Sequence, residues 1–202
     1  MSKDYVERQF VRKQDMQEQD KIVELICESP ESVSAALQTG LALQAAKNNL
    51  LRTLKGQLTH ILSEKEWKLH IWEMEGAKRY AAFTIQYAES HRYEFCMEFE
   101  AGGYSDLIYG ICERGHHNPA QDLPNVKKAL DRLPVVEGMS SEFWPWYTRI
   151  EEGEYKNWSD HAFSGIVKNI TANWIIEKAN DVYRALDEGD CLDELKGPSP
   201  VA

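Results

Sequence analysis

The spacing of apolar residues along this chain changes period twice, and the changes divide it into helix, sheet and helix. From Ser29 to Leu62 the apolar positions Val33, Ala36, Leu37, Leu41, Ala45, Leu51, Leu54, Leu58, Ile61 and Leu62 recur loosely at steps of three and four. That spacing is one face of an α-helix. Ser29 offers an N-cap oxygen, Pro30 suits the first helical position, and Glu31 puts negative charge in the first turn. Before it, residues 4–28 predict an interrupted helix. Tyr5, Val6, Phe10 and Val11 are separated from Ile22, Val23, Leu25 and Ile26 by the almost wholly polar stretch Arg12 to Lys21. Glu28-Ser29 leaves room only for a tight turn, so residues 1–66 predict a helical hairpin.

From Trp67 the period becomes two. Ala81, Phe83, Ile85 and Tyr87 alternate with Thr84 and Gln86, Tyr93, Phe95, Met97 and Phe99 alternate with Glu94, Cys96, Glu98 and Glu100, and Leu107, Tyr109 and Ile111 continue the habit. Alternation of this length predicts half-buried strands at roughly 67–74, 79–88, 92–100 and 106–114. Short connections near Gly76, Ser90 and Gly102-Gly103 predict a four-stranded antiparallel meander with one wet face, to which Glu94, Glu98 and Glu100 belong.

The helical period then returns. A short helix is expected from a cap near Asp122 to a stop before Pro134. A long C-terminal helix is expected from Ser159 to Gly189, carrying Phe163, Ile166, Val167, Ile170, Trp174, Val182 and Leu186. Between them lie Phe143-Trp144-Pro145-Trp146-Tyr147 and Tyr155-Lys156-Asn157-Trp158-Ser159, which hold three of the six tryptophans. Large rings with one polar tip, clustered in a connection, predict an interior plug between sheet and helix. The expected fold is therefore α+β: a helical hairpin (1–66), an antiparallel sheet with a packed C-terminal helix (67–189), and a frayed tail (190–202).

Charge narrows the function classes. The net charge is -10, which gives no broad attraction to nucleic-acid phosphates, and clusters such as Lys127-Lys128 are short. Cys27, Cys96, Cys112 and Cys191 stand far apart without CxxC spacing. With no apolar signal segment and no membrane-length run, they predict reduced thiols and a cytoplasmic protein.

Candidate chemistry is sparse. Glu94, Glu98 and Glu100, with Asp106, offer carboxylate oxygens to a hard cation, although a solvated strand face explains them as well. Cys112, His116 and His117, with Cys96 on the neighbouring strand, are the weak candidates for a soft metal such as zinc. A Cys112–His116 nucleophilic pair lacks a visible orienting group. No GxSxG, Walker or GxGxxG motif occurs. Trp144, Trp146 and Trp158 are more simply core than base-stacking platforms.

Tyr109-Gly110-Ile111 closing a strand, then Trp144-Pro145-Trp146-Tyr147, then Tyr155-Lys156-Asn157-Trp158-Ser159 before a terminal helix, resembles the C-terminal half of a bacterial and phage family in the PD-(D/E)XK nuclease superfamily. The resemblance covers most of residues 15–188. Such nucleases hold Mg²⁺ on an Asp from one strand and a Glu-x-Lys from the next, in the N-terminal half. The resemblance implies that Met1 falls after that half. Glu66-Trp67-Lys68 fits Glu-x-Lys as text, but so do Glu154-Tyr155-Lys156 and Glu194-Leu195-Lys196, and helices rather than an Asp-bearing strand precede Glu66.

Three expectations follow. The chain is a non-catalytic module for target or partner engagement in phage or bacterial nucleic-acid or defence biology, with no cofactor and with a protein partner or itself as ligand. Alternatively it is an acidic protein-binding factor that presents Glu94, Glu98 and Glu100. In the third, it is a divergent Mg²⁺-dependent nuclease using Glu66 and Lys68.

Overall fold

The computed structural model describes residues 19–72, 74–88, 90, 92–114, 122–151, 153 and 155–196. The chain divides into two compact units, 1–46 and 47–202, with the boundary inside a helix.

In the first unit, residues 19–27 form α1, and α2 runs Pro30–Ser63 into the second. The expected start of α2 is observed: the Ser32 N–H donates to Ser29 Oγ at 3.0 Å. No described residue of 19–46 is buried.

The second unit is a five-stranded antiparallel sheet in sequential order, with helices on it. The strands are β1 (Lys68–Trp72), β2 (Ala82–Gln86), β3 (Tyr93–Ala101), β4 (Ser105–Glu113) and β5 (Trp146–Arg149). Three further helices are α3 (Pro124–Leu130), α4 (Asp160–Val167) and α5 (Ile170–Glu188), followed by a 3₁₀ turn at Leu192–Lys196. Leu51, Leu54, Leu58 and Leu62 of α2 share one buried cluster with Phe83, Ile85, Phe95, Met97, Phe99, Leu107 and Ile111 of the sheet and Ile175, Ala179, Val182 and Leu186 of α5. Strand parity explains this: every second residue of a strand reaches the same layer.

The aromatic residues tie the layers. Trp158 meets Phe99 edge-on at 5.3 Å and Phe163 of α4 at 6.1 Å. Tyr183 of α5 meets both Tyr87 and Trp67 at 5.1 Å, and the Tyr87 hydroxyl donates to the Ala179 carbonyl at 2.9 Å. Buried hydroxyls need such partners.

Four expectations require correction. The sheet has five strands rather than four, because Trp146–Arg149, read as connection, pairs antiparallel with Ile108–Ile111. Gly110 makes that pairing possible, since a Cβ there would lie 2.2 Å from the Trp146 carbonyl oxygen. The single C-terminal helix is two helices. They break at Lys168-Asn169, where Asn169 adopts the left-handed conformation (φ 60) that Asn tolerates better than most residues. The Thr171 hydroxyl donates to the Ala162 carbonyl at 2.7 Å across the break. The stretch 190–196 is packed, with Cys191 and Leu195 buried, while 197–202 lie outside the described residues. Finally, the sheet's second face is not wet at its centre, as described below.

No helix among the described residues is long and apolar enough to cross a membrane.

Candidate functional site

The second face of the sheet gathers most of the unusual chemistry. Parity sends His70 of β1, Thr84 and Gln86 of β2, Glu94, Cys96 and Glu98 of β3, and Ile108 and Cys112 of β4 to that side. Register sets Thr84 opposite Cys96, Glu94 opposite Cys112, and Glu98 between Ala82 and Ile108. Trp144, with Phe143 and Tyr147, packs on Ala82, Cys96, Ile108 and Cys112. The Glu113 N–H donates to the Phe143 carbonyl at 3.0 Å and fixes the start of this roof.

The acidic row is therefore mostly indoors. Glu94 is 1 % exposed and Glu98 is 7 % exposed, which corrects the expectation of a solvated face. Only Glu100, at the margin, stays partly exposed, and it pairs with Arg149 of β5. Burial, and then the charge of Glu100, pushes the Glu98 carboxyl up to about 7. Burial likewise raises Glu94, whose Oε2 has no hydrogen-bond partner among the described residues. Taking a carboxylate out of water favours its protonated form unless a cation compensates. A signal for this burial was present in the sequence: Cys96, Ile108, Gly110 and Cys112 share the parity of the acids, and a wet face would carry polar residues there.

The remaining candidates do not converge. Burial also raises the Cys96 and Cys112 thiols, which disfavours the thiolate needed by a nucleophile or a metal ligand. His116 and His117 lie outside the described residues, as does Glu154. Glu66 and Lys68 are both exposed, on a turn and at the first residue of β1, while Trp67 between them is buried. Among the described residues no group of three His, Cys, Asp or Glu could hold a metal ion. The enclosed acids can hold protons.

No family model, curated protein or solved structure matches this chain.

A different surface stands out once the sheet is accounted for. Ile22, Val23 and Leu25 of α1, and Val33, Leu37, Leu41 and Leu43 of α2, are all exposed aliphatics. Seven such side chains fall within 22 residues, and Val33, Leu37 and Leu41 line one side of α2 by spacing, an exposed apolar strip of the kind that marks an interaction site. Residues 32–46 contain no Asp, Glu, Lys or Arg, so this part of α2 has no solvating charged face. Gly40 sits within it, and a Cβ added there would meet nothing within 4 Å. An interior helical glycine costs about 1 kcal/mol relative to alanine, and packing among the described residues gives no reason for it. The periodicity marked Val33, Leu37 and Leu41 as a helix face; their exposure was not visible in the sequence.

Proposed function

We propose that this chain is a non-catalytic, protein-engaging module acting in phage or bacterial nucleic-acid or defence biology. The setting comes from the resemblance to the C-terminal half of PD-(D/E)XK-type nuclease family proteins. The single observation that carries the engaging role is the exposed aliphatic surface on α1 and the first half of α2. A helix in water is stabilised mostly by packing of its apolar face, so an uncovered face on a nearly uncharged helix favours a partner.

The engaging element is the helical surface and not the acidic row, because Glu94 and Glu98 are enclosed. A hydrolytic role draws no support from Glu66 and Lys68, which stand exposed without converging acids among the described residues.

Two measurements test the reading. Purified chain incubated with DNA or RNA and Mg²⁺ or Mn²⁺ is expected to leave the substrate intact; cleavage lost on Glu66→Ala or Lys68→Ala overturns the non-catalytic role. Immobilised chain is expected to retain a protein that the Leu37→Glu/Leu41→Glu variant releases. An unchanged retained protein in that variant removes the helical surface as the engaging element.

A further inference from the structure

We propose that the cleft between the second half of α2 and strands β1 and β2 binds an aliphatic monocarboxylate, with its hydrocarbon chain along the leucines of α2 and its carboxylate at Lys55. The cleft is formed by residues of the 47–202 unit, so the site goes beyond the α1–α2 strip and does not depend on the reading of that strip.

The cleft has the make-up of a small-ligand site. It holds about 380 Å³, a size that takes small organic molecules. Its floor is Leu51, Leu54 and Leu58 of α2, Ile71 of β1, Met74 just after it and Phe83 of β2. The three leucines follow at steps of three and four, so they make one continuous stripe about 10 Å long. The polar side chains that line the cleft are Arg52, Lys55 and Glu75, and all three are exposed.

Charge selects the head group. The chain carries 33 Asp and Glu, yet none falls between Ser32 and Ser63, while Lys47, Arg52 and Lys55 do. The cleft therefore lies beside the cationic side of an acidic protein. Arg52 and Lys55, three residues apart, share that side of the helix. Arg52 is already engaged: its Nε donates to Glu75 Oε1 at 3.2 Å and its Nη1 to Asn49 Oδ1 at 3.0 Å. Lys55 makes no ion pair among the described residues, which leaves its ammonium to receive an anion. A cationic amphiphile would set its charge against both side chains.

The body of the ligand follows from what the floor lacks. A peptide brings an amide about every 3.3 Å, and each buried amide needs hydrogen-bond partners. The side chains of the floor offer none. An unbranched alkyl chain needs none and matches a straight apolar stripe.

Calorimetric titration of the full chain with sodium decanoate at up to about 5 mM tests the site. The expected result is saturable binding of one decanoate per chain, weakening about fourfold for each methylene removed through nonanoate and octanoate. Decylammonium is expected not to bind. Lys55→Glu should weaken decanoate binding about fivefold with an unchanged circular dichroism spectrum, since Lys55 is exposed. In spectra of carbon-labelled methionine methyls, decanoate should shift Met74, which lines the cleft, and leave Met139 in place. Absence of saturable binding overturns the site. Equal binding of decylammonium, or undiminished binding of decanoate to Lys55→Glu, shows that Lys55 does not receive the carboxylate and defeats the proposal. A Met74 methyl unmoved at saturation places the ligand elsewhere and defeats it too. None of these outcomes bears on the α1–α2 strip, which Leu37→Glu/Leu41→Glu tests separately.

Discussion

In α2, Leu58 and Leu62 are each 1 % exposed, while Leu37 and Leu41 on the same helix are 66 % and 73 % exposed. The two halves carry comparable apolar spacing, but from Leu51 onward the leucines meet Phe83, Phe95 and the rest of the sheet cluster. Before Lys47 no described residue is itself buried. The difference teaches that helical periodicity specifies a face to be covered and says nothing about whether the cover is intramolecular. It also separates two kinds of consequence. Damage to the second half should appear as lost stability, and damage to the first half as lost association.

The largest effect that would sharpen this contrast is Leu58→Ala. Removing a fully buried leucine side chain leaves a cavity under the sheet and should cost about 2–5 kcal/mol, read as a lower urea midpoint with an unchanged slope. Next comes Gly110→Ala, whose methyl would collide with the Trp146 backbone. We expect a loss of about 1–3 kcal/mol, together with faster hydrogen exchange at Tyr147, the residue opposite Gly110.

A third effect depends on pH and belongs to the roofed face alone. The Glu98 carboxyl is raised from 4.5 to about 7, so between those values the folded chain binds more protons than the unfolded chain. Its contribution to stability is full below about pH 4.5 and is lost as pH rises through about 7, a change on the order of 3 kcal/mol. Glu98→Gln should flatten this decline, measured by urea unfolding at a series of pH values. An equally steep decline in the variant would assign it to other groups.

The smallest effect is the one best able to break the contrast. Leu37→Ala and Leu41→Ala should each change the stability of the chain by no more than about 0.5 kcal/mol, because neither residue is buried. A loss near that of Leu58→Ala would mean that the first half of α2 is covered within its own chain.

Much of the architecture was legible because it depends on local rules. The N-cap at Ser29 and the span of α2 follow from capping chemistry and spacing. The strands β1 to β4 lie within a few residues of their expected positions because alternation has only one structural period. Strand β5 escaped because Trp146–Arg149 is four residues long, follows Pro145, and depends on the missing side chain of Gly110 across the ladder. The break at Asn169 escaped because neither Gly nor Pro marks it; the left-handed turn is fixed by packing and by the Thr171 hydroxyl.

The site was legible as composition and opaque as environment. Sequence alone assigned Glu94 and Glu98 to one sheet face and the leucines of α2 to one helix face, because side-chain direction repeats with the backbone. Only the tertiary structure decided that Glu94 and Glu98 are enclosed, which raises their affinity for protons, and that Leu37 and Leu41 remain exposed. The reason is that direction is set by neighbours in sequence, whereas burial, and with it charge state and binding capacity, is set by whatever distant residue the fold brings across.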